Sequence, residues 1–311
     1  MTERQSLLEA LDRERPILID GGLATQLEAQ GCDIGNALWS ASLLQTNPEA
    51  IVEATRAYLD VGAECVATAT YQASREGFAT LGLSADEAND LMLLSVDLTA
   101  RARAEFLAAN PDTDYVPFIA ASIGPYGAVL HDGSEYKGKY GVPAATLREF
   151  HQARLQLLDE SEADILAIET IPSRLEAEVL VDLLADCDTP AWVSFSCRDD
   201  THISDGTPIT ELAALYADHP TVIAIGVNCT PPQFVPELVR KIRTAAPAKS
   251  VIAYPNSGEV YNAENGSWSG TVTPGDCASA ALAWIEAGAS IVGGCCRMGP
   301  DHIRAMRDAI T

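Results

Sequence analysis

Short apolar runs recur along this chain, each followed by an amphipathic stretch, and this alternation limits the possible folds most. The runs lie at 16–20, 64–70, 117–124, 164–170, 191–197, 222–229, 251–256 and 290–296. They are almost continuously apolar, so they predict strands buried on both faces, as in a parallel sheet. Helix-start signals stand between them. Asn47-Pro48 supplies an N-cap and a first-turn proline, and Pro231-Pro232 opens a later helix. Ser84-Ala85-Asp86-Glu87 and Ser173-x-x-Glu176 read as capping boxes. The stretch 125–142 is rich in Gly and Tyr, lacks helical periodicity and reads as a long loop. Residues 1–15 read as a short helix closing one end.

Eight strand-helix units predict a closed (β/α)8 TIM barrel, with a single domain over 1–311 and its active site at the C-terminal ends of the strands. An open doubly wound sheet accommodates the same units. The net charge of −24 argues against nucleic-acid or anionic-membrane partners, because phosphate would be repelled. No apolar run approaches the ~18 residues of a membrane span, and the start Met1-Thr2-Glu3-Arg4-Gln5 has no apolar leader. The expected location is cytoplasmic, where thiols stay reduced.

A barrel of this register would carry Asp20, Tyr71, Glu169, Cys229, Asn256, Cys295 and Cys296 on its upper rim. Three thiols at strand ends match a three-thiolate zinc site with its fourth position open to substrate. Adjacent cysteines in an extended chain point to opposite sides, so the backbone must turn at Cys295-Cys296, and Gly293-Gly294 permits that. Equally, free cysteines are often just small buried apolar groups. Asp20 and Glu169 close apolar runs, where an unpartnered carboxylate is costly. They are either salt-bridged or ready for a ligand ammonium. Gly21-Gly22 at a helix start could offer free N–H groups to a carboxylate, which together would suit an α-amino acid. Trp39, Tyr71, Tyr136 and Tyr140 either pack rim loops or face a cationic donor.

Absences narrow the chemistry. Lys137, Lys139, Lys241 and Lys249 avoid strand ends, which argues against a Schiff-base mechanism. His131, His151, His202, His219 and His302 avoid them too, which argues against a histidine-rich metallohydrolase. No Gly-x-Gly-x-x-Gly follows the first run, and no Walker sequence is present.

Several segments together resemble the homocysteine S-methyltransferase family. They are Asp20-Gly21-Gly22-Leu23-Ala24-Thr25-Gln26-Leu27, Leu38-Trp39-Ser40, Thr68-Ala69-Thr70-Tyr71-Gln72-Ala73-Ser74 and Ser122-Ile123-Gly124-Pro125-Tyr126-Gly127. Gly133-Ser134-Glu135-Tyr136-x-Gly138, Glu169-Thr170-Ile171-Pro172 and Gly226-Val227-Asn228-Cys229-Thr230 continue the series. Tyr254-Pro255-Asn256-Ser257-Gly258 and Gly293-Gly294-Cys295-Cys296-Arg297 complete it, in the family's order.

The resemblance implies a zinc barrel enzyme that methylates the sulfur of homocysteine to give methionine. It implies Zn2+ on Cys229, Cys295 and Cys296, and Asp20 and Glu169 on the homocysteine amino group. Gly21, Gly22, Trp39 and Tyr71 are the further expected substrate contacts, and no catalytic residue is expected beyond the metal site. The loop 133–140 and the short C-terminus look most like the branch that uses S-methylmethionine, with small-molecule partners only and a monomeric state. S-adenosylmethionine or betaine as donor, or a zinc- or thiol-binding barrel without catalysis, are the alternatives.

Overall fold

The protein is described from a computed structural model over residues 7–11, 13, 15–35, 39–130, 132–262, 267–269 and 272–311. Of Leu7, Leu8, Trp39, 260–262 and 267–269 only the backbone is described.

Eight parallel strands form one sheet. They are β1 (Ile17–Leu18), β2 (Cys65–Ala67), β3 (Phe118–Ile123), β4 (Ile165–Ile171), β5 (Ala191–Phe195), β6 (Val222–Asn228), β7 (Ser250–Tyr254) and β8 (Ile291–Val292). β1 pairs with β8, β8 with β7, and the order then runs back through β6, β5, β4 and β3 to β2. Closure comes from an isolated parallel bridge between Ile19 and Cys65. There Glu64 N–H donates to Leu18 O at 2.7 Å and Asp20 N–H to Cys65 O at 3.0 Å. Closure excludes the open doubly wound sheet and establishes the expected (β/α)8 barrel.

Side chains alternate across each strand. Ile17, Ile19, Phe118, Ala120, Ile165, Ala167, Trp192, Ala224, Ile252 and Ile291 share one cluster inside the barrel. Leu18, Val66, Ile119, Leu166, Ile168, Val193, Ile225 and Val251 face outward into a second cluster with the surrounding helices. Each such aliphatic side chain contributes roughly 1.5–3 kcal/mol by leaving water. One contact is close enough to exclude any side chain: a Cβ on Gly226 would lie 1.7 Å from Ile252 O, so β6 can approach β7 only through glycine.

The lower end is sealed as the sequence suggests. Helix Leu7–Leu11 brings Ala10 and Leu11 against the inner cluster. Buried Glu64 takes Arg13 Nη1 at 3.0 Å and Arg15 Nη1 at 2.5 Å. The Ser84–Glu87 capping box is present on helix Ala85–Ala109. Among the described residues, no helix is long and apolar enough to cross a membrane.

Two local expectations are corrected, and one element is added. The stretch 125–142 contains helix Tyr126–Leu130 and a 3-10 turn Ser134–Tyr136, both too short for a periodic signal. Ser173-x-x-Glu176 is not a capping box, because Ser173 makes no side-chain cap and Glu176 is fully buried among other partners. The loop after β7 carries an antiparallel ribbon, Val260–Asn262 with Ser267–Ser269.

Candidate active site

Strand alternation delivers most of the site. From the apolar inner layers, the same inward parity reaches Ser122 on β3, Glu169 on β4, Ser194 on β5, Asn228 on β6 and Tyr254 on β7. The barrel interior therefore turns polar at its C-terminal end. A cavity of about 120 Å3 opens there, lined by Asp20, Tyr71, Glu169, Cys229, Cys295 and Cys296 among others.

The thiols converge. The Sγ atoms of Cys229, Cys295 and Cys296 all lie within 4.8 Å of one another, the one such metal-ready group among the described residues. A tetrahedral zinc with Zn–S bonds near 2.3 Å needs sulfurs about 3.8 Å apart, so the donor set fits. Cys229 and Cys295 stand in disulfide contact, with Cα atoms 5.7 Å apart. Burial pushes the Cys296 thiol up to about 11. A bound cation reverses that preference, since a coordinated thiol is deprotonated.

Left-handed backbone recurs beside the thiols and carboxylates. Cys229 follows the last residue of β6 and by strand parity would point outward. Its φ of +46° puts it in the left-handed region instead. Thr170, next to Glu169, has φ +62°, and Arg297, next to Cys296, has φ +67°. Left-handed backbone costs a non-glycine residue roughly 1–2 kcal/mol, and such strain gathers at functional sites.

The glycine pair was expected to permit the turn at Cys295-Cys296, and neither Gly293 nor Gly294 uses left-handed backbone to do so. They are required by close packing: a Cβ on Gly293 would lie 2.3 Å from Ile19 Cγ1, and one on Gly294 2.6 Å from Met298 Cβ.

The carboxylates sit beside the thiols. Asp20 Oδ2 accepts the Ala67 amide at 2.7 Å. Burial, reinforced by the charge of Glu169, pushes its carboxyl up to about 8. Glu169 is also raised by burial, opposed by hydrogen bonds from Ser122 and Tyr254. Ser122 Oγ donates to its Oε1, and Tyr254 OH to its Oε2 at 3.0 Å. Tyr254 is held in turn by Trp192 Nε1 at 3.0 Å and contacts Ser194 Oγ at 2.6 Å. Neither Asp20 nor Glu169 has an ion-pair partner among the described residues, so the salt-bridge alternative is not observed. Two adjacent buried carboxylates favour a bound cation.

The remaining expected contacts divide. Gly21 and Gly22 line the cavity, but Gly22 N–H donates to Met298 O at 3.0 Å and is not free for a substrate carboxylate. A Cβ on Gly21 would lie 2.1 Å from the same oxygen, which explains the glycine sterically. Tyr58 OH anchors this turn through Gly22 O at 2.8 Å and Met298 O at 3.1 Å. Tyr71 and Tyr136 line the cavity. Tyr140 does not: its hydroxyl donates to Glu176 at 2.9 Å and its ring packs edge-on against Tyr126. Asn256 is not among the lining residues either; its backbone N–H donates to Thr230 O at 3.2 Å, and its Oδ1 is buried without a partner among the described residues. The Trp39 backbone opens a 3-10 turn, Trp39–Ser42, and its side chain lies outside what is described. Ser122, Ser194, Tyr254 and Gln72 were not anticipated as site residues; inward parity from the apolar strand positions would have found the first three.

Residues 17–310 match the profile of the homocysteine S-methyltransferase family. The chain belongs to that family. It is 46% identical over 297 residues to homocysteine S-methyltransferase YbgG of Bacillus subtilis, covering 94% of each chain. The metallated form of the homocysteine methyltransferase MmuM from Escherichia coli superposes with a TM-score of 0.87 at 39% identity, covering 97% of this chain and 99% of that one. The oxidized form of the same protein gives a TM-score of 0.89 at 38% identity, covering 98% and 99%.

Proposed function

We propose that this chain, as one barrel domain, is a zinc-dependent homocysteine S-methyltransferase that takes its methyl group from S-methylmethionine. The observation that carries the reading is the convergence of Cys229, Cys295 and Cys296 beside two buried carboxylates in one cavity.

Cys229, Cys295 and Cys296 are the residues that would hold the zinc. When bound, the metal supplies a cation that lowers the thiol pKa of homocysteine, so its proton leaves to solvent at neutral pH. Asp20 and Glu169 take the α-ammonium and fix the direction of the sulfur. The hydrogen bonds from Ser122 and Tyr254 hold Glu169 for that contact before substrate arrives. The homocysteine sulfur pair forms the new S–CH3 bond in line, and the old C–S+ bond breaks with its electrons remaining on the leaving sulfur. Charge is cancelled as a neutral thioether leaves, which an enclosed site favours, and positioning supplies most of the remainder. The leaving group needs no proton, which agrees with a cavity that no histidine lines.

The same chemistry accepts S-adenosylmethionine, whereas a betaine donor would place a quaternary ammonium in the site. The test is methionine formation by reduced, zinc-loaded protein given homocysteine and each donor in parallel. The reading expects turnover with S-methylmethionine and two methionines per methyl moved. Activity with betaine alone, or none with any donor despite bound zinc, would overturn it. A cytoplasmic, monomeric state accompanies the reading; the need for reduced thiols supports the first, and light scattering tests the second.

A further inference from the structure

Apart from Asn256 Oδ1, two buried acceptor oxygens at the mouth of the barrel have no partner among the described residues, and the chemistry above uses neither. The first belongs to Gln72, which lines the cavity and is 4% exposed. Its Nε2 donates to Ala128 O at 2.9 Å, which fixes the orientation of the amide and leaves Oε1 unsatisfied. The second belongs to Glu135, 9% exposed, whose Oε2 is unsatisfied. Glu135 directly precedes Tyr136, a lining residue of the same cavity.

Both residues border one short piece of structure, helix Tyr126–Leu130. Gln72 hangs from Ala128 of that helix, and a Cβ on its neighbour Gly127 would lie 2.6 Å from Glu135 N. The Glu135 carbonyl is pinned from β5 by Ser196 Oγ at 3.2 Å. The Gln72 amide is thus a built feature of the mouth, and the Glu135 backbone is fixed close to it.

An unmade buried hydrogen bond costs about 1–3 kcal/mol, more for a charged group, so two together call for a partner. Both atoms are acceptors, so that partner carries N–H or O–H groups. Glu135, next in the chain to the lining residue Tyr136, adds a carboxylate beside a cavity that already holds Asp20 and Glu169, which favours a cationic partner. The ammonium of homocysteine is assigned to Asp20 and Glu169. The donor carries the remaining ammonium of the reaction.

We propose that Gln72 Oε1 and Glu135 Oε2 receive the α-ammonium of the methyl donor, so that the enzyme selects a sulfonium that is itself an amino acid over sulfonium donors lacking the amine. This rests on the sulfonium-amino-acid reading above and adds the residues that enforce it.

The experiment compares S-methyl-L-methionine with dimethylsulfoniopropionate, which keeps a sulfonium and a carboxylate but has no amine. Zinc-loaded wild type, Glu135→Gln and Gln72→Met are assayed with saturating homocysteine. The KM for S-methylmethionine should rise about ten-fold or more in Glu135→Gln, as expected for loss of a charged hydrogen bond. Values of kcat/KM for dimethylsulfoniopropionate and of KM for homocysteine should stay unchanged. Gln72→Met should move in the same direction by less, and it carries the test if Glu135→Gln fails to fold. Equal losses for both sulfonium donors would mean that these residues only support the loop, and no change would mean that they do not meet the donor; either overturns the proposal. Absence of wild-type turnover with S-methylmethionine would overturn the donor reading and this inference together, whereas normal wild-type turnover with unaltered variants would overturn this inference alone.

Discussion

Asn228 clamps Thr170 across the barrel mouth: its Oδ1 accepts the Thr170 amide at 2.7 Å while its Nδ2 donates to Thr170 Oγ1, also at 2.7 Å. Each residue adjoins a member of the site. Asn228 precedes the thiol of Cys229, and Thr170 follows the carboxylate of Glu169. Ser194 Oγ also donates to Asn228 Oδ1 at 2.9 Å, so the clamp joins the network that orients Glu169. One amide side chain thus sets the distance between the proposed metal site and the proposed ammonium site.

Asn228→Leu keeps the volume and removes the clamp. The Thr170 amide and hydroxyl lose their partner, and each unmade buried bond costs about 1–3 kcal/mol. Stability should fall by that order, zinc affinity should weaken and the KM for homocysteine should rise together. Urea unfolding and a zinc-chelator competition check it. A change in one substrate parameter with zinc affinity intact would show that the clamp does not couple the two.

The pH dependence of stability follows from Asp20. Its carboxyl is raised to about 8 in the folded state, first by burial and then by the Glu169 charge. The unfolded value is near 4, so between about pH 4 and 8 the folded chain binds a proton that the unfolded chain lacks. The contribution of Asp20 to stability is full below that window and is lost as pH rises through it. Asp20→Asn still offers an oxygen to the Ala67 amide and has no such titration. The melting temperature of the chelated, ligand-free variant should therefore decline less between about pH 5 and 8 than that of wild type. Glu169, raised by burial too, keeps some of the slope in the variant. The same substitution should raise the KM for homocysteine about ten-fold, through loss of a charged contact.

Glu176 supports the site from behind. Its Oε1 accepts the Tyr126 amide at 2.6 Å and contacts His151 Nε2 at 2.8 Å. His151 Nδ1 meets Arg154 Nη2 at 3.2 Å, and that nitrogen donates to Gly124 O at 2.6 Å. Arg154 Nη1 reaches Ala73 O at 3.4 Å, so the network holds the loops after β2 and β3 that carry Tyr71 and Gln72. Glu176→Ala leaves the Tyr126 amide and the Tyr140 hydroxyl unpaired, breaks the buried contact with His151 and removes a charge that favours buried Arg154. Breaking a buried network of this kind costs about 3–5 kcal/mol. Guanidinium unfolding should show a loss of that size. A loss below 1 kcal/mol, about that of an exposed pair, would mean that the network is dispensable.

The fold was largely legible because each strand is buried on both faces and so reads as an unbroken apolar run. The three thiols were legible because cysteine at strand ends is rare chemistry placed where this architecture keeps its sites. Glu176 was misread because a buried network and a capping box can share one Ser-x-x-Glu spacing. Gly293-Gly294 was read as permitting the turn at Cys295-Cys296 when its observed reason is steric, and the left-handed backbone stands at Arg297 and, on another strand end, at Cys229, which no residue type announces. Asn228, Ser194 and Tyr254 work through contacts between strands distant in sequence, which no local window contains.

The central claim is that Cys229, Cys295 and Cys296 hold a zinc ion whose open position receives the homocysteine sulfur. X-ray absorption at the zinc edge of the reduced, zinc-loaded protein counts those ligands directly. The account expects three sulfur neighbours at about 2.3 Å without substrate and four when homocysteine is added. A first shell with fewer than three sulfurs, or one that homocysteine leaves unchanged, would contradict it.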